Sequence, residues 1–348
     1  MVKYRCLKII AFVLTCAAIL FVSLCWLAAG WLIAPPRKAL ESYHREWLAD
    51  AHSSHGMRVE RAVTKLGTPY LLCEPDATAT LGKRGVLIRN QLRAKGVNLP
   101  PPGEKLGTVV LLHGRGGRKE DLLLTAERFC ALGLRCVLPD LPGHGDNPAR
   151  HSSFGIAKSE RGIARDVLES AAARFHFKTH PAGVWGMSMG GAYAIEAAAE
   201  KPEQWDAVIV VSSFDALTPV INGEARQWFH AFAPVASFGV MEAVRWRAGY
   251  SPWKIRPVDE AASLRLPVMI VHGTADEVIA LRRGKNLFEA LPDAQRKRWI
   301  EVSDAHHGNV LVTPMPVFAE MGAWFIKWFN PSADPSQRVQ VPGKADCI

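Results

Sequence analysis

Several kinds of sequence signal are missing from this chain, and each absence removes a class of function. No two of its seven cysteines form a Cys-x-x-Cys pair, so the sequence supports neither a zinc site nor a dithiol redox site. Lysine and arginine are scattered, with no basic run interleaved with aromatic residues, so the net charge of +9 does not predict a nucleic-acid partner. Attraction to an anionic membrane surface explains that charge better.

Charge is absent from the N-terminal run Ile9 to Ala34. The run is longer than the roughly 20 residues that cross a bilayer as a helix, and longer than the roughly 7–15 apolar residues of a cleaved signal peptide. Ala28-Ala29-Gly30 has the small residues of a cleavage site, which leaves cleavage open as an alternative. Pro35-Pro36 should end the helix. We therefore predict a transmembrane signal-anchor over residues 1–36.

The orientation of this segment is not decided by charge, because basic residues flank it equally on both sides: Lys3, Arg5 and Lys8 before it, and Arg37, Lys38 and Arg45 after it. An N-terminal signal-anchor commonly keeps its N-terminus inside. We therefore expect a single-pass membrane protein whose remaining domain lies on the extracytoplasmic side. There, Cys130 and Cys136 would either form a disulfide or be two small buried residues.

The rest of the chain has enough residues for a sizeable core, and its composition is that of a globular protein. Residues 37–56 predict a polar helical neck. Residues 57–63, 70–75 and 85–92 have strand-like patterns separated by turn residues, which predict an antiparallel meander. Residues 331–348 predict a polar tail.

From Gly107 onward, apolar strand segments alternate with amphipathic helical segments. This alternation predicts an α/β fold with a doubly wound, mostly parallel sheet, spanning residues 57–330. The strands are almost continuously apolar, as expected for strands that are covered on both faces.

One segment, about 214–250, interrupts the alternation and is rich in aromatic residues. It is longer than an ordinary connection between two parallel strands. Two interpretations are equally compatible with it: a small helical cap, or a long crossover whose aromatics pack into the core.

The strongest chemical signal is Gly186-Met187-Ser188-Met189-Gly190, which matches G-x-S-x-G between a predicted strand and a predicted helix. In this setting a serine stands on a sharp turn with its hydroxyl projecting from the sheet edge, and side chains at the flanking glycines would clash. The positive end of the following helix dipole would lie near developing negative charge. We predict that Ser188 is a nucleophile.

With this motif, three further segments resemble those of the α/β-hydrolase superfamily, in the same order along the chain: LLHGRGGRKED, VHGTADEVI and VSDAHHGNV. The resemblance covers about residues 57–329. It implies that the loop after His113-Gly114 helps to form an oxyanion hole, with the backbone N–H groups of Arg115 and Met189 as donors. The Arg115 side chain is expected to be a solvated surface charge, although it would also suit an anionic substrate.

The resemblance also implies an acid and a base for the serine. Asp276 is the expected acid, with Asp215 as the alternative position and Glu277 as a solvated neighbour. His307 is the expected base, because Gly308 follows it, and His306 would then be a structural neighbour. The order serine, aspartate, histidine agrees with this superfamily.

The implied activity is that of a membrane-anchored serine hydrolase that cleaves an ester-like bond through an acyl-enzyme, on a small-molecule or lipid ester substrate. No metal and no organic cofactor is expected. A thioesterase, an acyltransferase or a peptidase would use the same residues. A scaffold that binds lipid or a partner without catalysis is an alternative from another class.

Overall fold

The structure is a computed structural model that describes residues 2–292, 294 and 296–330. The predicted polar tail, 331–348, lies outside the described residues. Eight strands form one sheet. They are β1 (Met57–Val63), β2 (Pro69–Pro75), β3 (Gly107–Leu112), β4 (Leu134–Pro139), β5 (Ala182–Met187), β6 (Ala207–Val211), β7 (Val268–Gly273) and β8 (Lys297–Val302).

The sheet has the order β1-β2-β4-β3-β5-β6-β7-β8. Only the first two pairings, β1 with β2 and β2 with β4, are antiparallel, and all the others are parallel. The predicted mostly parallel α/β sheet is therefore confirmed. Because the parallel strands point the same way, the loops that follow β3, β5, β7 and β8 meet at one edge of the sheet.

Helices cover both faces of this sheet. They are α1 (Val2–Ile33), α2 (Ser42–Ala49), α3 (Ala51–Ser54), α4 (Lys83–Ala94), α5 (Leu123–Cys130), α6 (Lys158–Arg161), α7 (Ile163–Phe175), α8 (Met189–Glu200), α9 (Leu217–Phe229), α10 (Ala233–Ala248), α11 (Pro257–Ala261), α12 (Leu281–Ala290) and α13 (Val317–Phe329). Short 3₁₀ helices occupy Lys119–Leu122, Pro202–Gln204, His230–Phe232 and Pro252–Lys254.

Alternate side chains of each central strand enter different cores. In β3, Val110 and Leu112 pack with α7, α8 and α12, whereas Val109 and Leu111 pack with α4, α5 and α13. All four side chains are buried, which explains why the strand is apolar throughout.

The prediction of a strand at residues 85–92 was wrong. The segment lies in α4, where Gly85, Ile88 and Leu92 are buried at helical spacing. The chain therefore has two strands before β3, not three, and α4 packs against α5 and α13. Its apolar residues fit a helix stripe as well as a strand, and tertiary packing decides between the two.

The N-terminal helix α1 is apolar, and residues Tyr4–Ile33 are long and apolar enough to cross a membrane. Most of its large side chains are exposed. Its last turns are not: Cys25, Ala29 and Ile33 pack against Ala243 and Val244 of α10. The structure thus joins α1 to the globular part of the chain through the segment between β6 and β7.

That segment, predicted as a cap or a crossover, forms helices α9 and α10, which pack against each other and line a cavity with Ser188. Most of its aromatic side chains do not pack into the core: Trp228 is 79% exposed, Phe232 75% and Trp246 79%. Phe214 is an exception and is buried.

Cys130 and Cys136 are buried free thiols. Of the two alternatives given for them, a disulfide or two small buried residues, the structure shows the second.

Candidate active site

Ser188 occupies the turn between β5 and α8 with a backbone conformation of φ 55° and ψ −120°. A positive φ at a residue other than glycine is strained, and such strain persists only where the surroundings enforce it. The positions on either side of the serine have no room for a side chain and therefore require glycine. A Cβ on Gly186 would lie 2.0 Å from the carbonyl oxygen of Gly190, and a Cβ on Gly190 would lie 2.1 Å from that of Leu112. The G-x-S-x-G motif therefore fits the turn for steric reasons.

His307 and Asp276 are brought together from the loops after β8 and β7. His307 Nδ1 lies 2.8 Å from Asp276 Oδ2. The second carboxylate oxygen, Oδ1, accepts the backbone N–H of Ile279 at 2.8 Å and that of Val278 at 3.1 Å. The aspartate side chain is fully buried and its imidazole partner is mostly buried. This arrangement fixes the ring orientation and leaves Nε2 of His307 free of the aspartate.

The electrostatics of the pair favour an ionised aspartate. Burial acts to raise the pKa of Asp276, but the hydrogen bond and charge of His307 and the backbone N–H of Ile279 outweigh it, so the pKa lies below its ordinary value. A carboxylate held ionised in this position stabilises an imidazolium that forms beside it.

Ser188 and His307 line the same cavity. No hydrogen bond joins Ser188 Oγ to His307 within the described part of the chain. Hydrogen bonds of this kind are often long in unliganded sites and shorten when substrate binds.

The loop after β3 lies against Ser188, since a Cβ on Gly114 would be 3.4 Å from the Cβ of Ser188. His113 holds this loop: its Nε2 accepts the Leu141 N–H at 3.0 Å, and its Nδ1 donates to the Gly114 carbonyl at 2.8 Å. Burial lowers the pKa of His113, which favours this neutral form. Among the described residues, the N–H groups of Arg115 and Met189 donate to no other group, so both are free to meet an oxyanion.

Comparisons with known proteins agree with the fold. Residues 103–241 match the model of the hydrolase family described as serine aminopeptidase, S33. The structure of an esterase from Pyrococcus furiosus superposes with a TM-score of 0.58 at 15% identity, over 85% of this chain and 99% of the esterase. The chain has an α/β-hydrolase-like fold.

Other proteins that are similar to this chain carry related descriptions. A pimeloyl-[acyl-carrier protein] methyl ester esterase of Chromobacterium violaceum is 26% identical, over 57% of this chain and 87% of the esterase. An uncharacterized protein of Mycobacterium tuberculosis is 25% identical, over 68% of this chain and 76% of that protein. The structure of a bacterial membrane phospholipase A has a TM-score of 0.50 at 16% identity, over 94% of this chain and 99% of the phospholipase.

The residues predicted as alternatives for the acid and the base have other partners. Asp215 is held by Arg283 at 3.0 Å and Asn286 at 2.6 Å. His306 is exposed and its Nδ1 lies 2.9 Å from Glu277 Oε2, which raises the pKa of His306. The chain thus has two adjacent histidine–carboxylate pairs, one buried and one in solvent.

The cavity in front of Ser188 has a volume of about 370 Å³ and a mainly apolar lining from α9, α10 and the loops. A second cavity of about 280 Å³, lined by the β3 loop, also reaches Ser188 and His307. Sequence reasoning missed one wall of the larger cavity, which comes from Ala28, Trp31 and Leu32 of α1. No motif marks these residues, because a long apolar helix carries no local sign of what it touches.

The expectation for the Arg115 side chain was wrong. Its guanidinium carbon lies 3.9 Å from the centre of the Trp31 ring, and its Nη1 lies 3.4 Å from the Trp31 carbonyl oxygen. Burial lowers the pKa of Arg115, and the nearby Glu224 only partly opposes this effect. The side chain is therefore packed between the β3 loop and α1 and is not a solvated surface charge.

Proposed function

We propose that this protein is a membrane-anchored serine hydrolase that cleaves a carboxylic ester with an apolar acyl group. The observation that supports this most is the shared cavity wall of a strained serine, Ser188, and an imidazole, His307, that is hydrogen-bonded to the buried Asp276. The proposed roles are nucleophile, general base and orienting carboxylate. The Arg115 and Met189 N–H groups are the proposed oxyanion donors.

In the proposed first step, Ser188 Oγ attacks the ester carbonyl carbon and its proton passes to His307 Nε2. The carbonyl oxygen becomes an oxyanion that accepts the two backbone N–H groups, and Asp276 stabilises the imidazolium. His307 then gives the proton to the alcohol oxygen, the C–O bond breaks, and an acyl-enzyme remains. Water follows the same route, with His307 as its base, and releases the acid and Ser188.

The choice of an ester with an apolar acyl group follows from the cavity. Its lining is dominated by side chains such as Phe214, Leu217, Val220 and Ile221, and Glu224 is its one carboxylate among the described residues. Apolar walls favour apolar chains, because burying them removes their surface from water.

A peptidase is the second candidate, because the matched family is described as a serine aminopeptidase and Glu224 offers a carboxylate to an amino group. The nearby cationic Arg115 interacts with the same carboxylate and disfavours a second cation there.

A comparison of substrates distinguishes the two candidates. Purified protein should be offered acyl esters, acyl thioesters and aminoacyl amides with the same chromophore. We expect ester cleavage to be the fastest. Faster cleavage of the amide would favour the peptidase.

The serine can be tested directly with a fluorophosphonate probe on the full-length protein in detergent. We expect labelling of wild type and of Ser263→Ala, an exposed serine that lines neither cavity, and no labelling of Ser188→Ala. Labelling of Ser188→Ala, or an unlabelled but folded wild type, would contradict the proposed nucleophile. The second outcome would favour a binding scaffold without catalysis.

We also propose that α1 is a single-pass anchor with the catalytic domain on the extracytoplasmic side. The length and apolar surface of α1 support the anchor. The orientation rests on the behaviour of N-terminal signal-anchors. Protease added outside intact cells or spheroplasts should digest the catalytic domain, whereas complete protection until lysis would reverse the orientation.

A further inference from the structure

One wall of the cavity in front of Ser188 comes from the proposed anchor. Ala28 and Leu32 are four residues apart in α1 and Trp31 is three from Ala28, so the three side chains share one face of the helix. They complete a cavity whose other walls include Ser188 and His307. A helix that only attached the protein to the membrane would not need to line the same cavity as Ser188.

This wall is fixed against the rest of the protein. The neighbouring face of α1, with Cys25, Ala29 and Ile33, is buried against α10. The approach is close, since a Cβ on Gly239 of α10 would lie 2.6 Å from the Cys25 sulfur. The Ile33 carbonyl also accepts the Ser152 N–H at 2.9 Å. The end of α1 is therefore packed as a component of the domain.

Arg115 connects this wall of the cavity to the loop after β3. Its guanidinium stacks on the Trp31 ring at 3.9 Å, while its backbone N–H is one of the two proposed oxyanion donors. Trp31 is nevertheless 52% exposed, so its indole is held on one side and open on the other. The indole therefore offers exposed apolar surface at the cavity wall.

We infer that Ala28, Trp31 and Leu32 of the membrane helix form part of the substrate site and select the length of the apolar chain that enters it. The inference rests on the proposed function, because it concerns the ester that Ser188 would cleave. The ligand class is the acyl chain of a lipid ester. Specificity for this chain then resides partly in the segment that crosses the bilayer.

The test changes the volume of the wall in both directions and measures kcat/KM for soluble chromogenic esters of graded acyl length. Trp31→Ala enlarges the cavity and should raise the ratio of long-chain to short-chain kcat/KM by about tenfold. Ala28→Trp fills the cavity and should lower the same ratio by about tenfold. The matched controls are Leu27→Ala and Leu27→Trp, at an exposed position of the same helix turn that does not line the cavity. Their ratios should equal that of wild type.

Fluorophosphonate labelling of every variant separates the possible failures. Labelled variants with unchanged chain-length ratios would overturn the inference and leave the proposed hydrolase intact. Equal shifts in the Leu27 and cavity variants would also overturn it, because they would indicate a general effect of the helix. A wild type that neither labels nor cleaves any ester would contradict the proposed function itself. If Trp31→Ala fails to fold, Trp31→Leu and Ala28→Leu test the same wall with smaller changes.

Discussion

At the scale of single residues, the site contains two histidine–carboxylate pairs side by side, and burial distinguishes them. His307 pairs with a fully buried carboxylate and faces the cavity, while His306 pairs with the exposed Glu277. A general base must reach the serine proton, and of these two histidines it is His307 that lines the cavity with Ser188, which supports His307 as the proposed base.

Substitution of the two histidines should therefore have very different effects. We expect His307→Ala to lower kcat by about 10⁴-fold or more, because the serine loses its base. His306→Ala should change kcat/KM by no more than about twofold, as is usual for surface substitutions. Steady-state ester hydrolysis by the two variants measures both effects. A large loss of kcat in His306→Ala, with little change in His307→Ala, would instead identify His306 as the general base.

Asp276→Asn tests the carboxylate without removing its backbone contacts. The amide oxygen can still accept hydrogen bonds from the backbone N–H groups of Val278 and Ile279, but the amide NH2 group cannot accept one from the His307 Nδ1–H. We expect kcat to fall by about 10⁴-fold, because the imidazole loses its correct tautomer and its counter-charge. Near-wild-type hydrolysis by the folded variant would contradict the proposed role of Asp276 and favour Asp215 as the orienting carboxylate.

The same carboxylate should also make stability depend on pH. Its pKa is lower in the folded protein than its ordinary value of 3.8, so its ionised form stabilises the fold above that pH. This contribution is lost as pH falls through the lowered pKa. Denaturant midpoints measured from pH 6 down to pH 3 should therefore fall more steeply for wild type than for Asp276→Asn. Parallel slopes would mean that the pKa of Asp276 is not lowered.

Much of the candidate site could be located from the sequence because its proposed residues lie in short motifs. Ser188, Asp276 and His307 each stand in a local pattern after an apolar strand, and the structure brings the last two into contact. The Arg115 side chain was misjudged because its partner, Trp31, is 84 residues away in the sequence. Contacts between remote segments leave no local pattern to detect.

At the scale of elements, the turn between β5 and α8 has no room for a side chain at its glycine positions. We expect Gly186→Ala to destabilise the protein by about 3 kcal/mol or more, because its Cβ would overlap backbone atoms that cannot move independently. Gly223→Ala is the control, since a Cβ there meets nothing within 4 Å and lies in a helix, where alanine is favoured by about 1 kcal/mol. Thermal unfolding of the two variants should shift the midpoint in opposite directions.

The elements themselves were predictable where apolar strands alternate with helices, from β3 onward. The failure at α4 has a physical reason: Val86, Leu87 and Ile88 form an apolar run that resembles a short strand, although only Ile88 of the three is buried, at helical spacing from Leu92. The aromatic segment before β7 was ambiguous for a similar reason. Composition shows that the segment is apolar, but not whether its rings face a core or the outside.

At the scale of the whole molecule, exposed aromatic side chains lie on α10, against which α1 packs, and on α9, which packs against α10. Trp228 and Trp246 are both 79% exposed, and exposed apolar groups beside a proposed membrane span are expected at the lipid interface. In reconstituted vesicles, lipids brominated near the headgroup should quench wild-type tryptophan fluorescence more strongly than that of Trp228→Phe/Trp246→Phe. Equal quenching would indicate that these helices stay in water.

The packing of α1 into the cavity wall has a consequence for how fast such an enzyme would work. A protein whose binding cavity is partly built from its own membrane span would encounter lipid substrate by lateral diffusion in the plane of the bilayer. Its rate would then follow the mole fraction of substrate among the surrounding lipids, and diluting the membranes in buffer would not change it.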